Sequence, residues 1–234
     1  MLTVLMLAGG SWTWLRSGDP AAQPRTSDGA AVIDLTENTA ADPSAPSTGQ
    51  SAAAAAASLL EAPATRWREL APSALGTWLP TSPASGPADA DRLAGFAHSP
   101  EGALLAAGNL YPAIYYSRDQ QWWRWLADHR VVWADGARDA LWDAMEPVWD
   151  LPTDGTALRP VGFRMLSYTP ELCRVRLWWS TESPGDAPVT VGAIAMVRWV
   201  DADWSLVFDE PAMDMRTLDP ARDGFIAWSP GGGR

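Results

Sequence analysis

The stretch Phe96-Ala97-His98-Ser99-Pro100-Glu101-Gly102-Ala103-Leu104-Leu105-Ala106-Ala107-Gly108 separates a region that cannot build a core from one that can. Ser99 has the chemistry of a helix N-cap. Pro100 suits the first helical position, where its missing N–H costs nothing, and Glu101 falls in the first turn, where the helix dipole favours an anion. Apolar residues at 103, 104, 107, 110, 111, 114 and 115 make one helical stripe. Its first turns are Ala and Gly, so another backbone can approach closely. Pro112 is expected to kink this helix or end it early. His98, next to the cap, is expected to belong to the approach turn.

Upstream, residues 1–16 are apolar and uncharged as far as Arg16. A spanning helix needs about 20 apolar residues, and a signal peptide needs a basic start. The stretch is read as the outer part of a transmembrane anchor that begins before Met1, with Trp12 and Trp14 at the membrane–water interface. A cleaved signal peptide and a stray hydrophobic terminus are the alternatives. Residues 17–60, rich in Ala, Pro and Ser, cannot offset their ordering entropy by burial and are expected to be a disordered linker. Residues 61–95 hold Trp67, Leu70, Leu75, Trp78 and Leu79 among prolines, and are expected to be an irregular approach segment packed on the domain.

Beyond the first helix, Ser117-x-x-Gln120 resembles a second capping signal. It precedes a short aromatic helix expected to end near His129–Trp133. Leu141, Trp142, Met145 and Val148 repeat at helical spacing over Ala137–Val148. The period then changes. Leu158–Thr169, Leu172–Thr181, Val189–Val200 and Trp204–Phe208 are rich in β-branched and aromatic residues and are separated by turn-like segments. The expected fold class is α+β, with N-terminal helices packed on a curved antiparallel four-stranded sheet, a cone-like roll at 96–208. Residues 209–234 are read as a tail, with Phe225, Ile226 and Trp228 docking on the domain.

Composition narrows the function classes. The 234-residue chain carries a net charge of −11, and all 17 basic residues are Arg. That balance disfavours general nucleic-acid binding. A single cysteine, Cys173, excludes an intrachain disulfide and a Cys-based zinc site. Fifteen Trp residues must fill a core, line a groove, or meet a partner or a membrane interface.

The run Trp199-Val200-Asp201-Ala202-Asp203-Trp204-Ser205-Leu206-Val207 resembles the closing hairpin of cone-shaped folds in the nuclear transport factor two-like (cystatin-like) superfamily. The segment from Trp78-Leu79-Pro80 through Gly86-Pro87 to Gly95-Phe96-Ala97-His98-Ser99-Pro100-x-Gly102-Ala103 is similar to membrane-anchored proteins of actinobacterial conjugative elements. Their plan resembles the inner-membrane scaffold proteins of type IV secretion. The resemblance implies a non-enzymatic, membrane-tethered assembly component in the cytoplasmic membrane, single-pass, with its C-terminal domain extracytoplasmic. Its partners would be the membrane, through the N-terminus, and other envelope or secretion-apparatus proteins. Self-association is left open. No catalytic residues, cofactor or metal come with the resemblance. The rival reading is a pocket-bearing ligand binder or a small isomerase- or dehydratase-like enzyme on the same fold.

For that rival, Asp128, His129, Tyr168 and Arg164 would have to meet in a cavity. The blander readings are a His129 that serves the end of its helix and a Cys173 that sits inert on a core face with Val175, Leu177 and Trp179. Asp201 and Asp203 read as turn acids. One pattern points to a partner. Arg174, Arg176 and Trp178 alternate along one strand, and Arg164 and Arg198 lie on its neighbours, so all five are candidates for a protein-interaction face. The alternative is a solvated face whose Arg stems lie over tryptophan.

Overall fold

Strands dominate this molecule. A computed structural model describes residues 59, 61–149, 156–185, 187–208, 216–217 and 225–230. The expected anchor at 1–16, all of the expected linker but Leu59, and most of the tail lie outside the described residues. In chain order the elements are β1 (Arg66–Leu70), β2 (Gly76–Thr81), α1 (Pro100–Tyr116), α2 (Gln120–His129), β3 (Val131–Trp133), α3 (Ala137–Trp149), β4 (Ala157–Tyr168), β5 (Leu172–Glu182), β6 (Val189–Val200), β7 (Asp203–Phe208), β8 (Arg216–Thr217) and β9 (Ile226–Ala227).

Among the described residues the strands form one nine-stranded sheet in the order β1-β2-β4-β5-β6-β7-β3, with β8 bordering β6 and β9 bordering β4. It is mixed. β2 runs parallel to β4 and β3 parallel to β7, while the other pairs are antiparallel. This corrects the expected α+β roll of helices on a four-stranded antiparallel sheet. The four strands expected after residue 157 are only the centre of a larger sheet.

The extra strands come from segments whose local signals oppose strand formation. Proline removes a ladder donor, so it is confined to edges and strand ends. Pro80 lies inside β2 opposite Trp67 of β1. Its carbonyl turns away from β1 and accepts from Asn109 Nδ2 on α1 at 2.7 Å. A residue's N–H and C=O point the same way in a strand, so the missing donor faces α1 and costs β1 nothing. β3 follows α2 directly: the aromatic helix stops at His129, and Val131–Trp133 pairs with Leu206–Phe208.

Ser99 caps α1, accepting from Gly102 N at 3.1 Å. The helix runs on through Pro112 to Tyr116. Every residue from Gly102 to Tyr115 is buried, and that burial outweighs the cost of about 3 kcal/mol for an interior proline. Asp119, not Ser117, caps α2, accepting from Trp122 N at 2.9 Å. The Ser117 hydroxyl instead accepts from Asp119 N at 3.2 Å, holding the capping residue in place.

α1 packs on β2, β5, β6 and β7. Cys173, Val175, Leu177 and Trp179 of β5 face it and are buried, with Trp179 stacked on Tyr111 at 5.5 Å. α2 is fastened to α1 by Trp123, whose Nε1 donates to the Ile114 carbonyl at 2.7 Å. Trp142 and Trp149 of α3 then meet Trp123 edge-on at 5.3 and 5.9 Å. The helices therefore form a layer on one face of the sheet. The C-terminal segment closes the other end of the core. Trp228 is 4% exposed, packs on Trp67 and Phe163 and donates to the Thr65 hydroxyl at 3.0 Å.

Candidate protein-interaction face

Because side chains alternate across a strand, the residues of β5 between its buried ones point away from α1. Arg174 is exposed, Arg176 is half-buried and Trp178 is fully buried. Register places Arg164 of β4 directly opposite Arg176. Arg174 lies opposite Met196, and Arg198 opposite Leu172, on β6. Four of the five candidates, Arg164, Arg174, Arg176 and Arg198, thus share one face of three adjacent strands.

Trp178 belongs to that side of the sheet but not to its surface. The Phe225 ring lies 5.9 Å from it, and the C-terminal strand β9 borders β4 at Gly162 and Phe163. Gly162 is the residue paired with Trp178. A Cβ at Gly162 would overlap the Cδ2–Cε2 edge of the Phe225 ring and crowd the Ile226 carbonyl, so glycine is what lets the returning chain roof the indole. The sequence pattern that put Trp178 on the arginine side was silent about this cover, which arrives from some fifty residues further along. Arg176 lies over the edge of the same indole, 5.9 Å from its centroid.

The charge distribution on these strands is one-sided. β4, β5 and β6 together carry five arginines (159, 164, 174, 176 and 198) and a single carboxylate, Glu182. Glu182 is bound to Arg159 at 2.8 Å. Among the described residues Arg174, Arg176 and Arg198 form no ion pair. Arg164 and Arg176 are like charges directly opposite each other across a strand pair, which concentrates positive charge on this face. Ile194, Met196 and Leu172 are half-buried between the arginines. A cationic surface with apolar patches suits an acidic protein partner.

The face is braced by a residue that sequence reasoning undervalued. Asp203 is not a solvated turn acid. Its carboxylate accepts from Gly95 N at 2.7 Å, Phe96 N at 3.2 Å and Trp204 N at 2.8 Å, and pairs with Arg130 at 3.0 Å. Arg130 also donates to the Trp204 carbonyl at 2.6 Å. One carboxylate thus ties the approach to α1, the end of α2 and the β6–β7 hairpin together. The available signal was the Asp-Trp start of a strand after a two-residue turn, and it did not say which way the carboxylate would face.

The residues required for the enzymatic rival engage different neighbours. Asp128 pairs with Arg138 at 2.7 Å. His129 stacks on Trp125 at 4.8 Å and its Nδ1 is 2.8 Å from the Trp125 carbonyl. Tyr168 lies beside Trp204. His98 stacks on Trp199 at 4.0 Å with the two rings nearly parallel, and Nε2 lies 2.6 Å from the Pro170 carbonyl. Each imidazole is therefore held by an indole face and a backbone carbonyl. Cys173 is buried beside Met165, and burial pushes its thiol up to about 12. Such a group is a poor nucleophile. Two cavities, of about 10 and 40 Å³, lie beside Trp228 and beside Tyr111 and Tyr115. They have room for a water or a few, not for a metabolite. Among the described residues no group of three His, Cys, Asp or Glu side chains converges as metal ligands do, and no helix is long and apolar enough to cross a membrane.

A family model described as domain of unknown function (DUF8175) matches residues 20–226. No curated protein matches the chain, and no solved structure does.

Proposed function

The chain belongs to the DUF8175 family, and we propose that it is a non-enzymatic, membrane-tethered assembly component that recruits an acidic partner of the cell envelope through the arginine face of its sheet. The observation that carries this reading is the segregation of charge. In a chain of net charge −11, Arg174 and Arg198 are exposed and Arg176 half-buried on the central strands, and none of the three forms an ion pair with a carboxylate among the described residues. Exposed arginine beside apolar surface is the composition of a binding hot spot. The filled, tryptophan-rich interior also favours binding over catalysis, since the candidate acid–base groups are spent on backbone and ring contacts. The assignment to a conjugation or type IV secretion-like apparatus rests on the resemblance of the segment from Trp78 to Ala103. The tether to the cytoplasmic membrane rests on residues 1–16.

Photocrosslinking in the source cell tests the reading. A photoreactive residue at Met196, between Arg174 and Arg198, is expected to trap envelope proteins in the membrane fraction. The same probe at Asp135, in the turn after β3, is the reference. Equal yields from both positions, or a full-length chain that leaves the membrane in a carbonate wash, would overturn it.

A further inference from the structure

The molecule carries a surface that complements its own arginine face. In α3, Asp139, Asp143 and Glu146 are spaced at i, i+4 and i+7, so they line one side of the helix. All three are exposed. The only arginine of α3, Arg138, is engaged by Asp128. None of the three carboxylates forms an ion pair with a described residue. Asp139 in the first turn is favoured by the helix dipole. Glu146 lies near the opposite end, where a carboxylate is disfavoured, and the last turn holds no basic residue to offset it. A cation from outside would relieve Glu146.

The two surfaces cannot meet within one molecule. Arg174, Arg176 and Arg198 point away from α1, whereas α3 rests on α2, which is fastened to α1 on the other side of the sheet. We propose that the arginine face of one copy of this chain docks on the acidic stripe of α3 in a second copy, so that copies associate head to tail. This rests on the reading of the sheet face as an interaction surface and names its partner. Such a contact is heterologous: it leaves an unused face at each end, and it closes a ring or grows a filament according to the rotation between copies. Both outcomes suit a scaffold.

The test uses the full chain, purified in mild detergent, in sedimentation velocity over a concentration series. The mass is expected to rise with concentration at low salt and to fall toward the monomer near 1 M salt, where the screening length is about 3 Å. Arg174→Glu with Arg198→Glu, and separately Asp139→Arg with Asp143→Arg, are each expected to yield monomers. Mixing the two variants is expected to restore association, because each then offers the complement of the other. All four positions are exposed, and circular dichroism checks that both variants fold. A monomer at every concentration in low salt overturns the inference, as does an oligomer indifferent to salt or a mixture that stays monomeric. If self-association fails while crosslinks from Met196 to other envelope proteins persist, only this inference falls. If those crosslinks are absent as well, the reading beneath it falls too.

Discussion

Arg130 and Asp203 form an ion pair at 3.0 Å with side chains only 8% and 12% exposed. They stand 73 residues apart in the chain, at the end of α2 and the start of β7. The pair is not left to Coulomb attraction alone: three backbone N–H groups bind the carboxylate and the Trp204 carbonyl takes one guanidinium N–H, while Arg130 Nε is buried without a hydrogen-bond partner among the described residues. These additional hydrogen bonds offset much of the cost of desolvating the two charges.

Breaking that pair from one side strands a buried charge. Asp203→Ala and Arg130→Ala are each expected to lower the unfolding free energy by about 3–5 kcal/mol. The double variant should lose much less than the sum of the two, and a urea-denaturation double-mutant cycle measures the coupling. Additive losses would show that the two side chains act independently.

Asp201 and Ala202 turn the β6–β7 hairpin with φ of 50° and 63°. Positive φ at both central positions is the geometry that favours Gly at the second. Ala202→Gly is expected to raise stability by about 1 kcal/mol, since a Cβ in the left-handed region costs about that much. A drop in melting temperature would contradict the turn assignment.

The roof over Trp178 depends on Gly162. Gly162→Ala drives a methyl group against the edge of the Phe225 ring and the Ile226 carbonyl, so Phe225 and β9 must move. Trp228 follows β9 directly and donates its backbone N–H to Val161 at 3.0 Å. The expected result is a red shift of tryptophan emission and faster proteolysis near residue 225, with a folded remainder by circular dichroism. Trp228→Ala, which empties a buried site of ring size, is expected to cost about 3–5 kcal/mol.

Alkali should unfold the protein through neutral groups that cannot ionise in place. Burial raises Tyr111, Tyr115 and Tyr116 well above the ordinary phenol range and lifts the Cys173 thiol to about 12. In the unfolded chain a thiol ionises near about 8.5 and a phenol near about 10. Folded pKa values above unfolded ones mean that the stabilisation is complete below about 8.5 and is lost progressively as pH rises through about 12. Tyrosinate absorbance should therefore appear in one cooperative step together with loss of circular dichroism. Three phenols titrating while the fold persists would show that they are accessible.

His98 is a packing residue. His98→Ala removes its stack on Trp199 and its bond to the Pro170 carbonyl, with an expected cost of about 1–2 kcal/mol. His98→Phe keeps the stack and should recover part of that loss in a thermal melt. If the Phe variant is no more stable than the Ala variant, the ring contact contributes nothing.

Local chemistry determined a good deal by itself. Ser99, Pro100 and Glu101 start α1 because capping and dipole terms act within one turn, and the change from helical to alternating period marks β4 to β7 because side-chain direction follows backbone geometry residue by residue. The same alternation put Arg174, Arg176 and Trp178 on one side of β5, while the register of β4 and β6 decided that Arg164 and Arg198 join them. Tertiary structure decided the rest. Only pairing with distant strands could make β1, β2 and β3 part of a mixed sheet, because a short strand interrupted by a proline and a three-residue strand have almost no preference of their own. Only the returning C-terminus could turn Trp178 from a surface anchor into a covered one. Asp203 became the centre of the fold because its partners, Gly95, Phe96 and Arg130, lie 73 to 108 residues away, and no local pattern in a chain encodes a contact made at that distance.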